Sequence, residues 1–296
     1  MKIGDLEFHF VSDGRVEVDA GGPFGLVPRG LYSRFFKPTE ENRIPMVLNC
    51  LLVHSRGKTI LIDTGLGDKL SDEGAEGWHS TRADGGLVSE LKRLGVSPDD
   101  VDIVINTHLH ADHCGWNTRR EGSAVVPTFP KATYFVQRIE WADASHVDAR
   151  TRGTYHSENF ASVMSRGQLQ LLHGDFVVTD QVVCVVTPGH TRAHQSVVLR
   201  SGSWRGMYVA DMASFAAHFL RTAWLTSYDV LPLENVTTKE RWQRWALAED
   251  AWLLFEHDPF MMAARLVERG SRRDLEPVEL DSGPTFAPPT RQQPAG

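Results

Sequence analysis

Between Thr107 and His113 the chain runs Thr107-His108-Leu109-His110-Ala111-Asp112-His113, three imidazoles and a carboxylate in close succession. Residues i and i+2 of an extended segment point the same way, so His108 and His110 can hold one metal ion. The chain must then turn, and Asp112 and His113 can face a second ion beside the first. Gly115 permits a tight turn there. Three further residues would complete the pair of sites. His190 would add a third imidazole to the first ion, Asp211 could bridge both ions, and His257 would complete the second. Nitrogen and oxygen donors without a thiolate suit zinc, and also iron, manganese or cobalt.

The elements that must position these residues are legible as apolar runs. Val101–Ile105 leads to the His108–His113 motif, Val182–Val186 to His190, Met207–Ala210 to Asp211, and Trp252–Phe255 to His257. Sites in α/β sheets form where strand ends and their following loops converge, so the four runs can deliver their ligands to one sheet edge. Isolated His9, His54, His79, His146, His156 and His173 are read as ordinary polar groups. Asp63, after the strand Thr59–Ile62, can orient a ligand imidazole, as can Thr191 and His194.

Elsewhere, Leu6–Val11 alternates as a strand and Ser12-Asp13-Gly14 reads as a turn. Met46–Val53 and Thr59–Ile62 read as strands joined by a turn at Ser55–Lys58. The segment from Gly21 to Pro45 reads as a loop whose Phe24, Leu26, Leu31, Tyr32, Phe35 and Phe36 pack in the core or line a pocket mouth. Residues 66–83 read as a surface loop. A helix is expected over Asp84–Gly95, a loop from Gly115 to Pro130, and a cap over the site from residues 137–168. A capping box at Thr237–Glu240 is expected to open a helix to Glu249. One domain is expected over residues 1–270. Residues 271–296 form a Pro-, Gln- and Gly-rich extension, expected to be disordered beyond Asp281.

On these residues the chain resembles the metallo-β-lactamase-fold hydrolases. The resemblance rests on His108-Leu109-His110-Ala111-Asp112-His113, Pro188-Gly189-His190-Thr191, Asp211 and His257, with Asp63-Thr64-Gly65 as the acidic turn beneath the ligands. It implies an α+β fold, an αββα sandwich of two mixed β-sheets flanked by helices. It also implies two divalent metal ions, zinc first among them: one on His108, His110, His190 and Asp211, the other on Asp112, His113, Asp211 and His257. The ligand set is similar to that of acyl-homoserine lactonases and methyl-parathion-hydrolase-like enzymes. The lactonases carry a tyrosine three residues after the bridging aspartate, where this chain has Ser214. Tyr228 is the candidate to enter the site in its place.

Two divalent ions about 3.5–4 Å apart hold a bridging hydroxide at neutral pH, because metal binding lowers water's pKa toward ~7. The expected reaction is attack of this hydroxide on a lactone or carboxylic ester. Asp112 is the candidate catalytic residue, expected to shuttle a proton to the leaving alkoxide. Phosphotriester hydrolysis ranks second and β-lactam hydrolysis third. An iron-dependent oxidoreductase and a metal-free interaction module are readings of other classes, and the intact ligand set speaks against the latter. Phe24, Trp116, Phe215, His218, Phe219, Trp224 and Tyr228 are expected to shape the substrate pocket.

The formal net charge of −7 argues against nucleic acid as a partner. Hydrophobic residues make up 41% and charged residues 23%, enough for a sizeable core in a water-exposed protein. No apolar run reaches membrane-spanning length. Cys50, Cys114 and Cys184 read as reduced thiols of a cytoplasmic protein. The expected partner is a small-molecule substrate, with a homodimer left open.

Overall fold

Alternation of apolar side chains gives each strand two faces. In the run Val182–Val186, Val182 and Cys184 face one apolar layer while Val183 and Val185 face another. A strand buried on both sides needs a layer against each face. The structure, a computed structural model, describes residues 1–71, 74, 77–82 and 86–281. Within them it supplies those layers as two stacked mixed sheets with helices outside.

The first sheet begins with β1 (Lys2–Ile3), β2 (Leu6–Asp19), β3 (Arg43–Ser55), β4 (Lys58–Ile62) and β5 (Ile103–Ile105). A separate hairpin follows, β6 (Thr118–Glu121) and β7 (Ala124–Pro127). Then β8 (Thr133–Gln137) and β9 (Leu169–Leu172) complete the sheet in the order β1-β2-β3-β4-β5-β8-β9. The second sheet runs in sequence order: β10 (Phe176–Thr179), β11 (Val182–Val186), β12 (Gln195–Ser201), β13 (Trp204–Tyr208), β14 (Trp252–Leu254), β15 (Ala263–Arg269) and β16 (Arg272–Pro277).

Leu6, Phe8, Phe10, Leu51, Val53, Ile60 and Ile62 of the first sheet meet Val182, Cys184, Val197, Leu199, Tyr208 and Leu254 of the second. Outside the first sheet lie Leu87 and Leu91 of the helix Gly86–Arg93. Outside the second lie Trp242 and Ala246 of the helix Pro232–Ala248. The pairs β4–β5 and β13–β14 are parallel. Each pair therefore ends at one edge, where Asp63, the His108–His113 motif, Asp211 and His257 follow.

Several expectations change. Ser12-Asp13-Gly14 is no chain-reversing turn. β2 continues through it to Asp19, with a register shift between Ser12 and Arg15. Asp13 is turned inward at this bulge and accepts hydrogen bonds from the Leu66, Gly67 and Leu87 N–H groups and from the Trp116 indole. The expected Gly21–Pro45 loop contains two short helices, Gly21–Phe24 and Arg29–Tyr32. There Phe24, Tyr32 and Phe36 are buried while Leu26 and Leu31 are exposed. The hairpin β6–β7 occupies the stretch read as a loop after Gly115. The helix over Gly86–Arg93 matches the Leu87/Leu91 stripe, and Asp84 lies outside the described residues.

The later helix starts at Pro232 instead of Thr237, because proline in the first helical turn loses no needed N–H. Thr238 is then interior and donates to the Pro188 carbonyl at 2.7 Å. Residues Arg272–Pro277, placed by composition in the extension, form β16 paired along β15. Leu275 is what holds them there, packed into the outer layer of the second sheet. The disorder expected beyond Asp281 falls on residues outside those described. Cys50, Cys114 and Cys184 are buried free thiols. Among the described residues no helix is long and apolar enough to cross a membrane.

Candidate metal centre

β5 ends at Ile105, and the chain leaves the sheet through Thr107, whose N–H and hydroxyl donate to Asp63 at 2.8 and 2.7 Å. His110 is on extended backbone, and the His108 and His110 ring centroids lie 4.4 Å apart, as the i, i+2 spacing predicts. A single helical turn, Ala111–Cys114, then carries Asp112 and His113. Gly115 is needed, but not to turn the chain: its φ is −59°. A Cβ there would lie 2.0 Å from the Leu66 carbonyl carbon, so glycine serves the close approach of two backbones. The turn before His190 has the same need, since a Cβ on Gly189 would meet Asn235 at 2.4 Å.

The candidate ligands converge in three overlapping groups. Donor atoms of His108, His110 and His190 lie within 4.8 Å of one another, as do those of His108, His113 and Asp211, and of Asp112, His113 and His257. Asp211 stands between the sets. Its Oδ2 is 3.1 Å from His190 Nε2, 3.9 Å from His108 Nε2 and 3.4 Å from His113 Nε2, and its Oδ1 is 3.4 Å from His257 Nε2. Asp112 is 3.8 Å from His113 Nε2 and 3.9 Å from His257 Nε2.

Four of the five rings are fixed on their far side. Asp63 Oδ2 lies 3.1 Å from His113 Nδ1, Asp229 Oδ1 3.0 Å from His190 Nδ1, the Val47 carbonyl 2.9 Å from His257 Nδ1, and the Thr107 hydroxyl 3.1 Å from His108 Nδ1. His110 differs: its Nδ1 faces His190 Nε2 at 3.1 Å, and the Tyr155 ring packs beside it. Of the two other expected positioning residues, His194 accepts from the Asp211 N–H at 3.1 Å, beside Ala210, which is held at φ 49°. Thr191 reaches no candidate ligand. It donates to Glu140 at 2.5 Å, and Glu140 also accepts from the Leu109 N–H and the Tyr155 hydroxyl. The His190 turn is thereby tied to the His108–His110 segment.

The electrostatics suit cation binding. Burial and the surrounding imidazoles hold His108 and His110 well below the ordinary histidine range, so both present neutral lone pairs. His194 is pushed down to about 3 by burial and by His190. Burial opposes the charge on Asp211, but His190, His257 and His113 outweigh it and keep the carboxyl well below its usual value. Burial likewise opposes the charge on His190, and Asp211 and Asp229 overcome it. His108 Nε2 and Asp211 Oδ1 are buried without a hydrogen-bond partner, and His113 Nε2 faces His257 Nε2 at 3.2 Å. Unpaired lone pairs aimed at one small volume are costly unless a cation takes them. The residues present therefore fit divalent metal ions.

Above the donors lies a cavity of about 210 Å³, walled by Val18, Pro23, Met46, Leu70, Trp78 and Phe215 and floored by His110, Asp112, His190, Asp211 and His257. Of the seven residues expected to shape it, Phe215 and Tyr228 line it. Tyr228 is 44% exposed, and its phenol is shifted upward by the part of the ring that is buried and by Asp112 and Asp211, so it stays an O–H donor. Phe24 sits a layer behind, stacked 6.0 Å from Phe215, with Trp224 edge-on to it. His218 packs edge-on against both Phe24 and Phe215. Phe219 belongs to the outer layer of the second sheet, and Trp116 is drawn to the buried Asp13 carboxylate.

The sequence reading missed Asp229, Glu140 and Glu256, all buried against the motif's surroundings. It also set aside His156, which with Gly153 and Thr154 of the expected cap reaches the cavity. Asp229 and Glu256 each adjoin a residue that was singled out, Tyr228 and His257. That adjacency was the one available signal.

The metallo-beta-lactamase superfamily model matches residues 43–240. An N-acyl homoserine lactonase, AttM, of Rhizobium radiobacter is 27% identical over 188 residues, 62% of this chain and 67% of that protein. An N-acyl homoserine lactonase of Bacillus thuringiensis is 29% identical over 163 residues, covering 51% of this chain and 58% of that one. A probable metal-dependent hydrolase from Staphylococcus aureus superposes with a TM-score of 0.86 at 26% identity, over 95% of this chain and 99% of its own.

Proposed function

The chain belongs to the metallo-beta-lactamase superfamily, and from that premise we propose that this metal-dependent hydrolase uses two metal ions to open a lactone or carboxylic ester. The observation that carries the reading is Asp211, set within 4 Å of four imidazole nitrogens that fall into two sets. His108, His110, His190 and Asp211 would hold one ion; Asp112, His113, Asp211 and His257 would hold the other. When bound, two divalent ions supply a strongly nucleophilic water at neutral pH and polarise the carbonyl under attack.

The chain's own residues do the remainder. Asp112 lines the cavity and is partly exposed, so an oxygen of its carboxylate can carry a proton to the departing alkoxide. Tyr228 keeps its proton and lines the same cavity, where it can donate to a substrate oxygen. The apolar wall excludes water and receives a hydrocarbon chain.

Among the described residues lining the cavity, none is lysine or arginine. A neutral substrate is therefore favoured over an anionic one, which ranks a lactone above a carboxylate-bearing β-lactam. The relatives named for N-acyl homoserine lactone hydrolysis put lactones ahead of phosphotriesters. The test is a panel on metal-loaded protein, comparing lactones, aryl esters, phosphotriesters and a chromogenic β-lactam by kcat/KM. Lactones are expected to rank first, and a phosphotriester turned over faster than any lactone would overturn the assignment.

A further inference from the structure

Glu256 lies two residues after the end of β14, directly before His257, and is 0% exposed. Its Oε2 lies 3.2 Å from His113 Nδ1, the atom that Asp63 Oδ2 approaches at 3.1 Å. The donor atoms of Asp63, His113 and Glu256 all fall within 4.8 Å of one another. The other groups facing Glu256 are His257 and the Tyr208 hydroxyl. A carboxylate buried this deeply is costly, and it persists only where a positive or proton-bearing group meets it. Neither Glu256 oxygen has a hydrogen-bond partner, and the imidazole nitrogen that Glu256 faces is His113 Nδ1.

His113 is unlike the other candidate ligands in this respect. His190 Nδ1 meets one carboxylate, His257 Nδ1 a backbone carbonyl, and His108 Nδ1 a hydroxyl. His113 Nδ1 meets two carboxylates, one from each sheet: Asp63 follows β4, and Glu256 follows β14. His113 Nδ1 hydrogen-bonds Asp63, and Glu256, 3.2 Å away with neither oxygen hydrogen-bonded, sets a second carboxyl beside the same nitrogen, an electrostatic contact that favours one ring orientation and makes the opposite nitrogen a stronger donor. The group of His113 and His257 with Asp112 has two imidazoles, whereas that of His108, His110 and His190 has three.

We propose that Glu256 is a positioning residue for His113, flanking its Nδ1 opposite the Asp63 hydrogen bond and so setting the affinity of the ion shared by Asp112, His113 and His257. The proposal rests on the two-metal reading above. The experiment is zinc binding by chelator competition on metal-stripped protein, wild type against Glu256→Gln, with the fold of each checked by circular dichroism. Wild type should take up two ions. Glu256→Gln should bind one with wild-type affinity and the other about 10–100-fold more weakly. In cobalt-loaded protein, the visible bands of one ion equivalent should change.

Unchanged affinity for both ions in folded Glu256→Gln overturns the proposal. So does equal weakening of both, the mark of general loosening. If Glu256→Gln does not fold, Glu256→Asp takes its place: weakening of one ion supports the proposal and unchanged binding refutes it. A wild type that binds fewer than two ions would instead sink the two-metal reading, so the two failures are told apart.

Discussion

The floor of the site and its wall are built on different principles. The floor is made of residues that directly follow strands, and each of four rings is held by an acceptor or hydroxyl at its far nitrogen. The wall is assembled from distant segments, Val18 and Pro23, Leu70 and Trp78, Gly153 to His156, and Ser214 to Tyr228. Packing and a few backbone fastenings hold it together. Lys239 Nζ donates to the Trp224 carbonyl at 2.5 Å, Arg150 to the carbonyls of Ser227 and Asp229, and the Ser227 N–H to Gly22. Local spacing can thus place the candidate metal donors, while the cavity wall depends on loops that only the folded chain brings together.

The sharpest way to break this contrast is at the floor's midpoint. Asp211→Ala should reduce bound metal from two ions per chain to fewer than one and lower kcat/KM by more than roughly 1000-fold. Retention of both ions by metal analysis would remove Asp211 from its bridging place. Asp112→Asn should cut kcat by ~10²–10⁴ on lactones and alkyl esters, whose leaving alkoxides need a proton. The loss should be much smaller on nitrophenyl esters. Equal losses on both classes would leave Asp112 as a ligand only.

A wall substitution should behave otherwise. Leu70→Ala should leave metal content unchanged and lower kcat/KM about tenfold on long-chain relative to short-chain substrates, the worth of a few methylene contacts. If both chain lengths suffer alike, the wall does not select by chain length.

The smallest expected effect concerns the wall's fastening. Burial lowers Lys239 from 10.5 to about 8. The unfolded chain therefore binds more protons than the folded one between about pH 8 and 10.5, so stability rises with pH across that window. The cost of the buried charge is fully present below about pH 8. Lys239→Met should abolish this rise in Tm between pH 8 and 10, a difference of only a few degrees at about 2–4 °C per kcal/mol. A parallel pH dependence of the two proteins would show that Lys239 keeps its ordinary pKa.

Much of the floor was legible before folding. His108 to His113, His190, Asp211 and His257 stand after apolar runs, and the backbone period of a strand dictates which side chains share a direction. The residues that hold them were largely hidden. Asp229 reaches His190, and Glu256 reaches His113, across contacts between segments far apart in the chain. Among the wall candidates, the cluster Phe215, His218, Phe219, Trp224 and Tyr228 reads as uniform in sequence. Yet only Phe215 and Tyr228 face the cavity, because the short helix Ala216–Leu220 points Phe219 at the second sheet. Trp116 was misassigned for a related reason: its indole is claimed by Asp13, a residue that local signals label a turn.

By itself, the sequence marked the apolar runs that end at the site and the candidate donors after them, because periodicity and spacing are properties of neighbouring residues; the layered α+β architecture came as what the family resemblance implies. Only the tertiary structure decided that Ser12–Gly14 is a bulge, that Arg272–Pro277 is a strand, which aromatics meet the cavity, and which groups stand behind the imidazoles. Those outcomes depend on contacts across the two sheets, whose free energy no single segment carries.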